Sequence, residues 1–132
     1  MMELYQGIDM VQVSKFRDVF RKHTNFASDI FTEKEREYCE TRKDPHIHFA
    51  GRFAVKEAAL KALGIGMSGS GIDHAFQEIE TIPGASGKPL LGFSGWVEKI
   101  SRKRGIRQIT VSISHSGDYA VASVILVKEN NV

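Results

Sequence analysis

The sequence has little of several residue types, and each shortage excludes a class of protein. One cysteine, Cys39, in 132 residues excludes an internal disulfide framework and a cysteine-rich zinc site. No apolar run approaches the roughly 20 residues of a membrane-spanning helix, and the first residues lack a basic and then apolar signal segment. A net charge of only +2 argues against a protein that coats a polyanion. We therefore expect a cytoplasmic protein that binds neither a membrane nor nucleic acid.

Length and the order of the elements predict a single α+β domain over residues 1–132. A chain of 132 residues has the size of one domain and can bury a core without disulfides or zinc. Alternating or continuous apolar residues predict strands at MELYQGIDMV, HAFQEIETI, PLLGF, ITVSI and YAVASVILV. Strands and helices do not alternate regularly. We therefore expect a mainly antiparallel sheet packed with a long central helix and shorter helices.

Apolar spacing and end signals predict the helices. The central helix covers FAGRFAVKEAALKALG, with Gly64 as its C-terminal stop, and Pro45 is predicted to break the chain before it. Ser14 is a candidate cap for the first helix, VSKFRDVFRKH. Thr32 and Glu35 form a capping-box pattern before FTEKEREYCETRK. A short basic helix is predicted at SGWVEKISRKRG, and turns are predicted at GASGKP and HSGD.

Charged side chains at two places in the chain could carry chemistry. Asp9 interrupts an apolar strand, where a carboxylate is costly to bury unless it caps a turn, pairs with a charge or binds a cation. Glu57 and Lys61 are four residues apart and therefore lie on one face of the central helix. They form either an ordinary surface ion pair or part of a site. Ala50 and Ala54 on the same face favour the site, because small side chains leave room for a ligand.

A glycine-rich loop and three histidines allow further interpretations. Residues 64–69, GIGMSG, match Gly-x-Gly-x-x-Gly but follow a helix, whereas a dinucleotide-binding loop follows a strand. The segment is either a linker or a loop whose backbone N–H groups approach a phosphate near Lys61. His46 and His48 have no third ligand nearby, so we expect no zinc site. His115, in the predicted hairpin turn, is either a turn residue or part of a site.

Basic residues on the first helix define a candidate docking surface. Lys15 and Lys22 share one side of the helix, and Arg17 and Arg21 share another. The helix is either simply solvated or a docking surface for an acidic partner, whose approach the charges would steer. A second basic run, at residues 101–104, lacks interleaved aromatic side chains and is a poor nucleic-acid signature.

Four sequence elements occur in a recognisable order: Gly-Ile-Asp, Phe-Ala-Val-Lys-Glu-Ala-Ala-Leu-Lys, Gly-Lys-Pro and Ser-Ile-Ser-His. Together they resemble the holo-acyl-carrier-protein synthase type of 4′-phosphopantetheinyl transferase, from about Tyr5 to Ile125. The resemblance implies that family's fold and the transfer of the 4′-phosphopantetheine arm of coenzyme A to a serine of apo acyl carrier protein. Adenosine 3′,5′-bisphosphate would be the other product. The resemblance also implies Mg²⁺, fatty-acid biosynthesis as the default pathway, and a homotrimer with active sites between subunits.

The resemblance also implies roles for individual residues. Asp9 and Glu57 would hold Mg²⁺, and Lys61 would bind the pyrophosphate oxygens and protonate the leaving phosphate. The base that accepts the serine proton is either Glu57 or a metal-bound water. The further coenzyme A contacts would be Arg52, Lys56, Gly64, Gly66, Gly87, Lys88, Pro89 and His115.

The first helix would then dock the acidic carrier protein through Lys15, Arg17, Arg21 and Lys22. Lys15 stands where the family commonly has arginine, so this chain keeps the charge but lacks the planar guanidinium fork. Tyr5 replaces a glycine that is often seen before the aspartate. The alternative function is a non-catalytic module that binds acidic carrier proteins or coenzyme A.

Overall fold

The computed structural model describes residues 1–65 and 72–129, which form two antiparallel sheets around one long helix. The elements in chain order are β1 (Met2–Gln12), α1 (Val13–Lys22), α2 (Phe26–Ile30), α3 (Glu33–Glu40), α4 (Pro45–Ala62), α5 (Ile72–Gln77), β2 (Ile79–Pro83), β3 (Pro89–Phe93), α6 (Gly95–Lys103), β4 (Ile106–Ser116) and β5 (Tyr119–Glu129). The predicted α+β class, antiparallel pairing and long central helix are confirmed.

The larger sheet places β5 between β1 and β4, and both neighbours run antiparallel to it. Helix α4 packs against this sheet. Gly7 allows the close approach, because a Cβ at this position would overlap the carbonyl oxygen of Ala58 in α4. Side chains two residues apart point to the same face of a strand. Asp9 therefore also faces α4, beside the turn of that helix that carries Glu57.

The core lies between α4 and the sheet, and a second cluster, rich in phenylalanine, packs around the N-terminal half of the helix. Phe49 and Leu60 are buried and anchor α4. Ala50 and Ala54 are also fully buried within the core. The prediction that these two alanines leave room for a ligand is therefore wrong, since the core fills the space beside them.

The predicted helix ends have mixed outcomes. The capping box is present, with Glu35 N donating to Thr32 Oγ1 and Thr32 N donating to the Glu35 carboxylate. Pro45 does not interrupt the secondary structure before α4, as the prediction had it. It begins α4, because the first turn of a helix needs no backbone donor there. Ser14 is not a cap, since it lies inside α1 and its hydroxyl donates to Asp118 Oδ2 at 2.5 Å.

Two strand predictions also need correction. The HAFQ part of HAFQEIETI is helical, in α5, and the strand begins only at Ile79. His115 is not in the hairpin turn, because β4 continues to Ser116 and His115 pairs with Ala120. The turn itself contains Gly117, whose φ of 57° is in the left-handed region. The hairpin of β2 and β3, with its turn at Gly87, is confirmed.

One face of the larger sheet exposes large apolar side chains along β1. Met2, Leu4, Ile8 and Met10 are each between 60% and 64% exposed. They alternate with the residues that face α4, so they lie together on the opposite face; we call them the β1 stripe. No helix in the described ranges, 1–65 and 72–129, is long and apolar enough to cross a membrane.

Candidate active site

Three charged side chains meet where β1 crosses α4. Asp9 projects from β1, while Glu57 and Lys61 project from successive turns of the helix. Lys61 Nζ donates to Asp9 Oδ1 at 2.8 Å and to the carbonyl oxygen of Ile8 at 3.2 Å. Lys61 thus pairs across to the strand, and no ion pair within the described residues joins it to Glu57. The simple surface pair along one helix is not what forms.

The two carboxylates are close enough to influence each other. Burial, and next the negative charge of Asp9, raise the pKa of Glu57 to about 6, while the ammonium of Lys61 opposes this rise. The hydrogen bond to Asp9 raises the pKa of Lys61, so its ammonium stays charged near neutral pH. A raised carboxyl pKa beside a second acid is typical of functional sites.

The donor set fits a magnesium ion better than a transition metal. Within the described part of the chain, no group of three or more histidine, cysteine or acidic side chains could hold a metal. Mg²⁺ needs only one or two carboxylates, because it keeps several waters and takes substrate phosphate oxygens as further ligands. Asp9 and Glu57 supply two such carboxylates, and a cation between them would relieve their repulsion. The residues present therefore fit Mg²⁺.

A cleft opens beside the acids. It has a volume of about 350 Å³, and its lining includes Asp9, Glu57 and Lys15 together with the rings of Phe16 and Phe53. The site is therefore charged at one side and apolar at the other. Such a surface can hold a polar reacting group next to an apolar segment of a partner.

A larger groove of about 990 Å³ lies beside the end of α1 and does not include either acid. Lys22 borders this groove, and Val19 and Phe26 border both the groove and the cleft. The smaller cleft is the candidate site, because two carboxylates line it beside a basic side chain, whereas the larger groove has the single carboxylate of Asp29 among its lining residues. The larger groove extends the same surface away from the acids.

The predicted docking residues differ in their exposure to solvent. Lys15, Arg21 and Lys22 are exposed, and the two C-terminal ones stand in the last turn of α1, where basic charge suits the helix dipole. Arg17 is half-buried and lies 3.7 Å from Asp44. Arg17 is thus partly engaged within the chain, whereas the other three point to solvent.

Lys56 does not belong to a ligand site. Its side chain is 0% exposed, and its ammonium donates to Glu35 Oε1 and to the carbonyl oxygens of Phe76 and Ile79. All three donors of the ammonium are used. The prediction that Lys56 contacts coenzyme A is therefore wrong for this conformation, because the group is neither accessible nor free.

Arg52 and His115 lie in a second cluster of basic side chains. The Arg52 guanidinium lies 4.0 Å from the ring centre of Tyr38, and Arg42 lies 4.1 Å from the same ring. The ring centres of His48 and His115 are 6.1 Å apart. Burial and then the positive charge of Arg52 lower the pKa of His48. The cluster therefore places two guanidinium groups around one tyrosine ring, close to two imidazole rings.

This cluster contains a buried donor without a hydrogen-bond partner among the described residues. Arg52 is only 6% exposed, and its Nε has no hydrogen-bond partner within residues 1–65 and 72–129. His115 Nε2 lies 3.2 Å from the carbonyl oxygen of Ile47. A buried guanidinium with a free N–H beside imidazole rings is suited to an anion such as a phosphate.

Comparison with known proteins identifies the family. A family model described as the 4′-phosphopantetheinyl transferase superfamily matches residues 6–124. The chain belongs to this superfamily. The predicted resemblance is therefore confirmed over nearly the whole chain.

Relatives within the superfamily match almost end to end. A holo-[acyl-carrier-protein] synthase of Caldanaerobacter subterraneus subsp. tengcongensis is 38% identical over 98% of this chain and 99% of its own length. One from Geotalea daltonii is 40% identical over 92% and 96%. A solved structure, the Chronobacterium ammoniagenes ACPS-CoA complex, has a TM-score of 0.84 at 30% identity and covers 97% of this chain and 99% of that one.

Two of the glycines predicted from the superfamily pattern, Gly64 and Gly87, have a backbone conformation in the left-handed region. Gly64 has a φ of 69° and ends α4, as expected for a C-terminal stop. Gly66 lies outside the described residues. Gly87 has a φ of 81° in the turn between β2 and β3, where Lys88 is exposed and Pro89 begins β3. The turn presents its backbone and Lys88 to solvent, but its contact with coenzyme A stays a prediction.

Sequence reasoning missed three residues that surround Arg52 and His115 in the basic cluster, namely Tyr38, Arg42 and His48. Tyr38 and Arg42 are four residues apart on the sequence and meet through the C-terminal end of α3. His48 and Arg52 are four apart on α4. The signal was available, since residues four apart share a helix face. The spacing of His46 and His48 bears only on a zinc site, and nothing in the sequence links His48 to His115.

Proposed function

We propose that this chain is a holo-[acyl-carrier-protein] synthase that transfers the 4′-phosphopantetheine arm of coenzyme A to a serine of apo acyl carrier protein. The convergence of Asp9, Glu57 and Lys61 beside one cleft is the observation that carries the proposal. The holo-[acyl-carrier-protein] synthases that match end to end support the substrates. The proposed transferase domain covers residues 1–132.

The proposed reaction is a phosphoryl transfer. The serine oxygen of the carrier forms a bond to the phosphorus that bears the pantetheine arm, and the bond from that phosphorus to the bridging pyrophosphate oxygen breaks. Adenosine 3′,5′-bisphosphate leaves with that oxygen. Mg²⁺ held by Asp9 and Glu57 would neutralise charge on the pyrophosphate and orient it.

The side chains of this chain handle the protons and the remaining charge. Lys61 is positively charged beside Asp9 at neutral pH. Its ammonium can donate a hydrogen bond to a pyrophosphate oxygen and then pass a proton to the leaving phosphate. Glu57, with a pKa of about 6, is mostly ionised at neutral pH and can accept the serine proton. A metal-bound water is the other candidate for that proton.

Coenzyme A would extend from the acids toward the basic cluster. Arg52, with its free Nε, and His115 support binding of a phosphate group. Solved relatives described as complexes with coenzyme A support the co-substrate, among them the Helicobacter pylori protein with a TM-score of 0.77 at 28% identity, covering 92% of this chain and 98% of that one. Gly64, Gly66 and the turn of Gly87, Lys88 and Pro89 complete the proposed contacts.

The carrier protein would dock on α1. Lys15 lines the cleft that holds both acids, so an acidic carrier bound there would bring its serine close to them. Arg21 and Lys22 extend the positive surface along the helix, and Arg17 adds charge behind its contact with Asp44. We expect the carrier of fatty-acid biosynthesis in the cytoplasm as the default partner.

A homotrimer accounts for the β1 stripe. Large exposed apolar side chains grouped on one sheet face mark an interaction site. Light scattering coupled to size exclusion should give a species of three chains. Leu4→Lys places a charge in the stripe away from the acids and should shift the mass toward one chain, whereas Lys99→Glu on α6 should leave it unchanged. A wild-type mass of one chain would contradict the trimer.

Intact-mass measurement tests the transfer. The protein is incubated with coenzyme A and candidate apo carriers, first without metal and then with Mg²⁺ or Mn²⁺. We expect the carrier to gain the mass of the arm only with metal, and Asp9→Asn and Glu57→Gln to abolish the gain. These amide variants are matched in size and remove only charge. Coenzyme A binding without transfer to any carrier would favour the non-catalytic module.

A further inference from the structure

Lys56 and Glu35 form an ion pair that is completely buried. Both side chains are 0% exposed, and the ammonium lies 2.7 Å from Glu35 Oε1. Removing two charges from water costs several kcal/mol per ion, so a buried pair is weak evidence for added stability. Its best-attested use is to fix one arrangement of the elements that it joins.

Apart from the capping bond from Thr32 N to Glu35 Oε1, the remaining hydrogen bonds of the pair end on residues 76–81, which lead into the β2–β3 hairpin. Lys56 Nζ donates to the carbonyl oxygen of Phe76 at 2.7 Å and to that of Ile79. Thr81 N donates to Glu35 Oε2 at 3.1 Å. Two of these groups belong to β2 itself. The pair therefore joins α3 and α4 to the end of α5 and to β2.

The hairpin depends on such attachments because it is a separate sheet. Strands β2 and β3 pair only with each other among the described strands, and an isolated two-stranded hairpin is marginally stable. A hydrogen bond of 2.6 Å from Thr32 Oγ1 to Glu80 Oε2 adds a second attachment to the same end of β2. The turn with Gly87 and Lys88 lies at the other end of the hairpin.

The pair also lies next to the acidic site along the helix. Glu57 directly follows Lys56 on α4, and its side chain turns to the cleft while that of Lys56 turns to the core. One short stretch of α4 therefore carries a ligand of the proposed metal and the anchor of the hairpin. Movement of the hairpin on α4 would shift the Gly87–Pro89 turn without displacing Glu57.

We propose that Lys56 and Glu35 are positioning residues that hold the β2–β3 hairpin on α4 so that its turn can bind the nucleotide end of coenzyme A. The proposal rests on the proposed function, because the contact between the turn and coenzyme A is part of that function. Neither side chain touches the substrate. Their effect should appear in the binding of coenzyme A and not in the chemical step.

The test uses a double variant that removes both charges at once. Lys56→Met with Glu35→Gln leaves no unpaired charge in the core, and the glutamine keeps an acceptor for Thr32 N or Thr81 N. The bonds from Lys56 to Phe76 and Ile79 are lost. The far-UV circular dichroism should match that of the wild type, so that binding can be compared between folded proteins.

We expect the double variant to bind the nucleotide end about tenfold more weakly, which corresponds to about 1.4 kcal/mol. The Kd of adenosine 3′,5′-bisphosphate, measured by titration calorimetry, and the KM of coenzyme A should rise together. The kcat should stay within about threefold, and the KM of the carrier should not change. Substitution of a residue that only supports global stability would change neither the Kd of adenosine 3′,5′-bisphosphate nor the KM of coenzyme A, provided that the variant is folded.

A control separates positioning from loss of stability. Val13 is 4% exposed in the phenylalanine-rich part of the core, which includes no residue of β2 or β3. Val13→Ala should lower the melting temperature and leave the Kd of adenosine 3′,5′-bisphosphate unchanged. If the double variant does not fold, Lys56→Arg replaces it, because a planar guanidinium keeps the charge but not the three-acceptor geometry.

The outcomes separate this proposal from the proposed function. A folded variant with wild-type Kd and KM values overturns the positioning role while arm transfer by the wild type stands. A fall in kcat with an unchanged KM of coenzyme A overturns it as well. If the wild type binds adenosine 3′,5′-bisphosphate but transfers no arm to any carrier, the proposed function fails, and a raised Kd in the variant still supports the positioning role.

Discussion

Helix α4 forms two ion pairs through Lys56 and Lys61, which have the same chemistry and different surroundings. The side chains of Lys56 and its partner Glu35 are both 0% exposed, whereas those of Lys61 and Asp9 are 53% and 12% exposed. The buried ammonium uses all its donors on protein acceptors. The exposed one keeps access to solvent and can exchange partners. Burial thus decides which lysine supports the fold and which is available to a substrate.

The largest expected effect is on stability, from breaking the buried pair on one side only. Lys56→Met leaves Glu35 as an uncompensated buried carboxylate, which costs about 3–5 kcal/mol of the free energy of unfolding. Urea unfolding followed by circular dichroism measures this loss. Lys61→Met serves as the comparison and should cost at most about 1 kcal/mol, because the side chain of Lys61 is 53% exposed and its charge is solvated. Equal losses in the two variants would contradict the distinction.

For catalysis we expect the opposite order, with a larger effect of substitution at Lys61 than at Lys56. Lys61→Met removes a positive charge that faces the reacting phosphate in the proposed mechanism, so kcat/KM for arm transfer should fall about 100-fold. The melting temperature should change little. A transfer assay at saturating metal measures the effect, and Lys61→Arg, which keeps the charge, should recover part of the activity. Full activity in Lys61→Met would remove Lys61 from the mechanism.

The carboxylate of Glu57, held beside that of Asp9, should lower the stability of the folded protein at neutral pH. Its pKa is raised from 4.5 to about 6, so the folded protein favours the protonated form and loses stability as the pH rises through this range. With metal chelated, Glu57→Gln should melt about 1–4 °C above the wild type at pH 7.5. Well below pH 4.5 the difference should vanish, because Glu57 is then protonated in both the folded and the unfolded protein and is as neutral as the glutamine. A difference that does not depend on pH would contradict the raised pKa.

The smallest effect is expected at the docking surface. Lys15→Ala removes one exposed charge at the rim of the cleft, which should raise the KM of the carrier about threefold at low salt and less at high salt. Lys15→Arg restores the planar fork and should bind at least as tightly as the wild type. Steady-state kinetics at two ionic strengths measure both variants. An effect of Lys15→Ala on the KM of coenzyme A would place Lys15 elsewhere in the site.

Local signals in the sequence were enough for much of the fold. The capping box of Thr32 and Glu35 and the stop at Gly64 depend on neighbouring residues only, and both are present. Pro45 was misread because proline can begin a helix as well as end one. The HAFQ segment was misread because its alternation is short, and its backbone joins a helix whose end is held by Lys56.

The site was less accessible to local reasoning. The spacing of Glu57 and Lys61 predicted a shared helix face, but the partner of Lys61 is Asp9, 52 residues away in sequence. The resemblance to the family places Lys56 in the coenzyme A site, and periodicity does not correct this. Most of α4 is apolar or small, so the sequence does not tell which face of the helix is buried. Only the packing of α3 and β2 around the helix identifies Lys56 as a core residue.

Gly7 has a consequence for how this protein can vary. A side chain there would collide with the backbone of α4 at Ala58, and the strand would have to move away from the helix. Asp9 would move with it and lose its position relative to Glu57. In a library of single substitutions scored for arm transfer, position 7 should therefore tolerate as few replacements as position 9. The relative position of Asp9 and Glu57 would then depend on Gly7, a residue that contributes no functional group to the site.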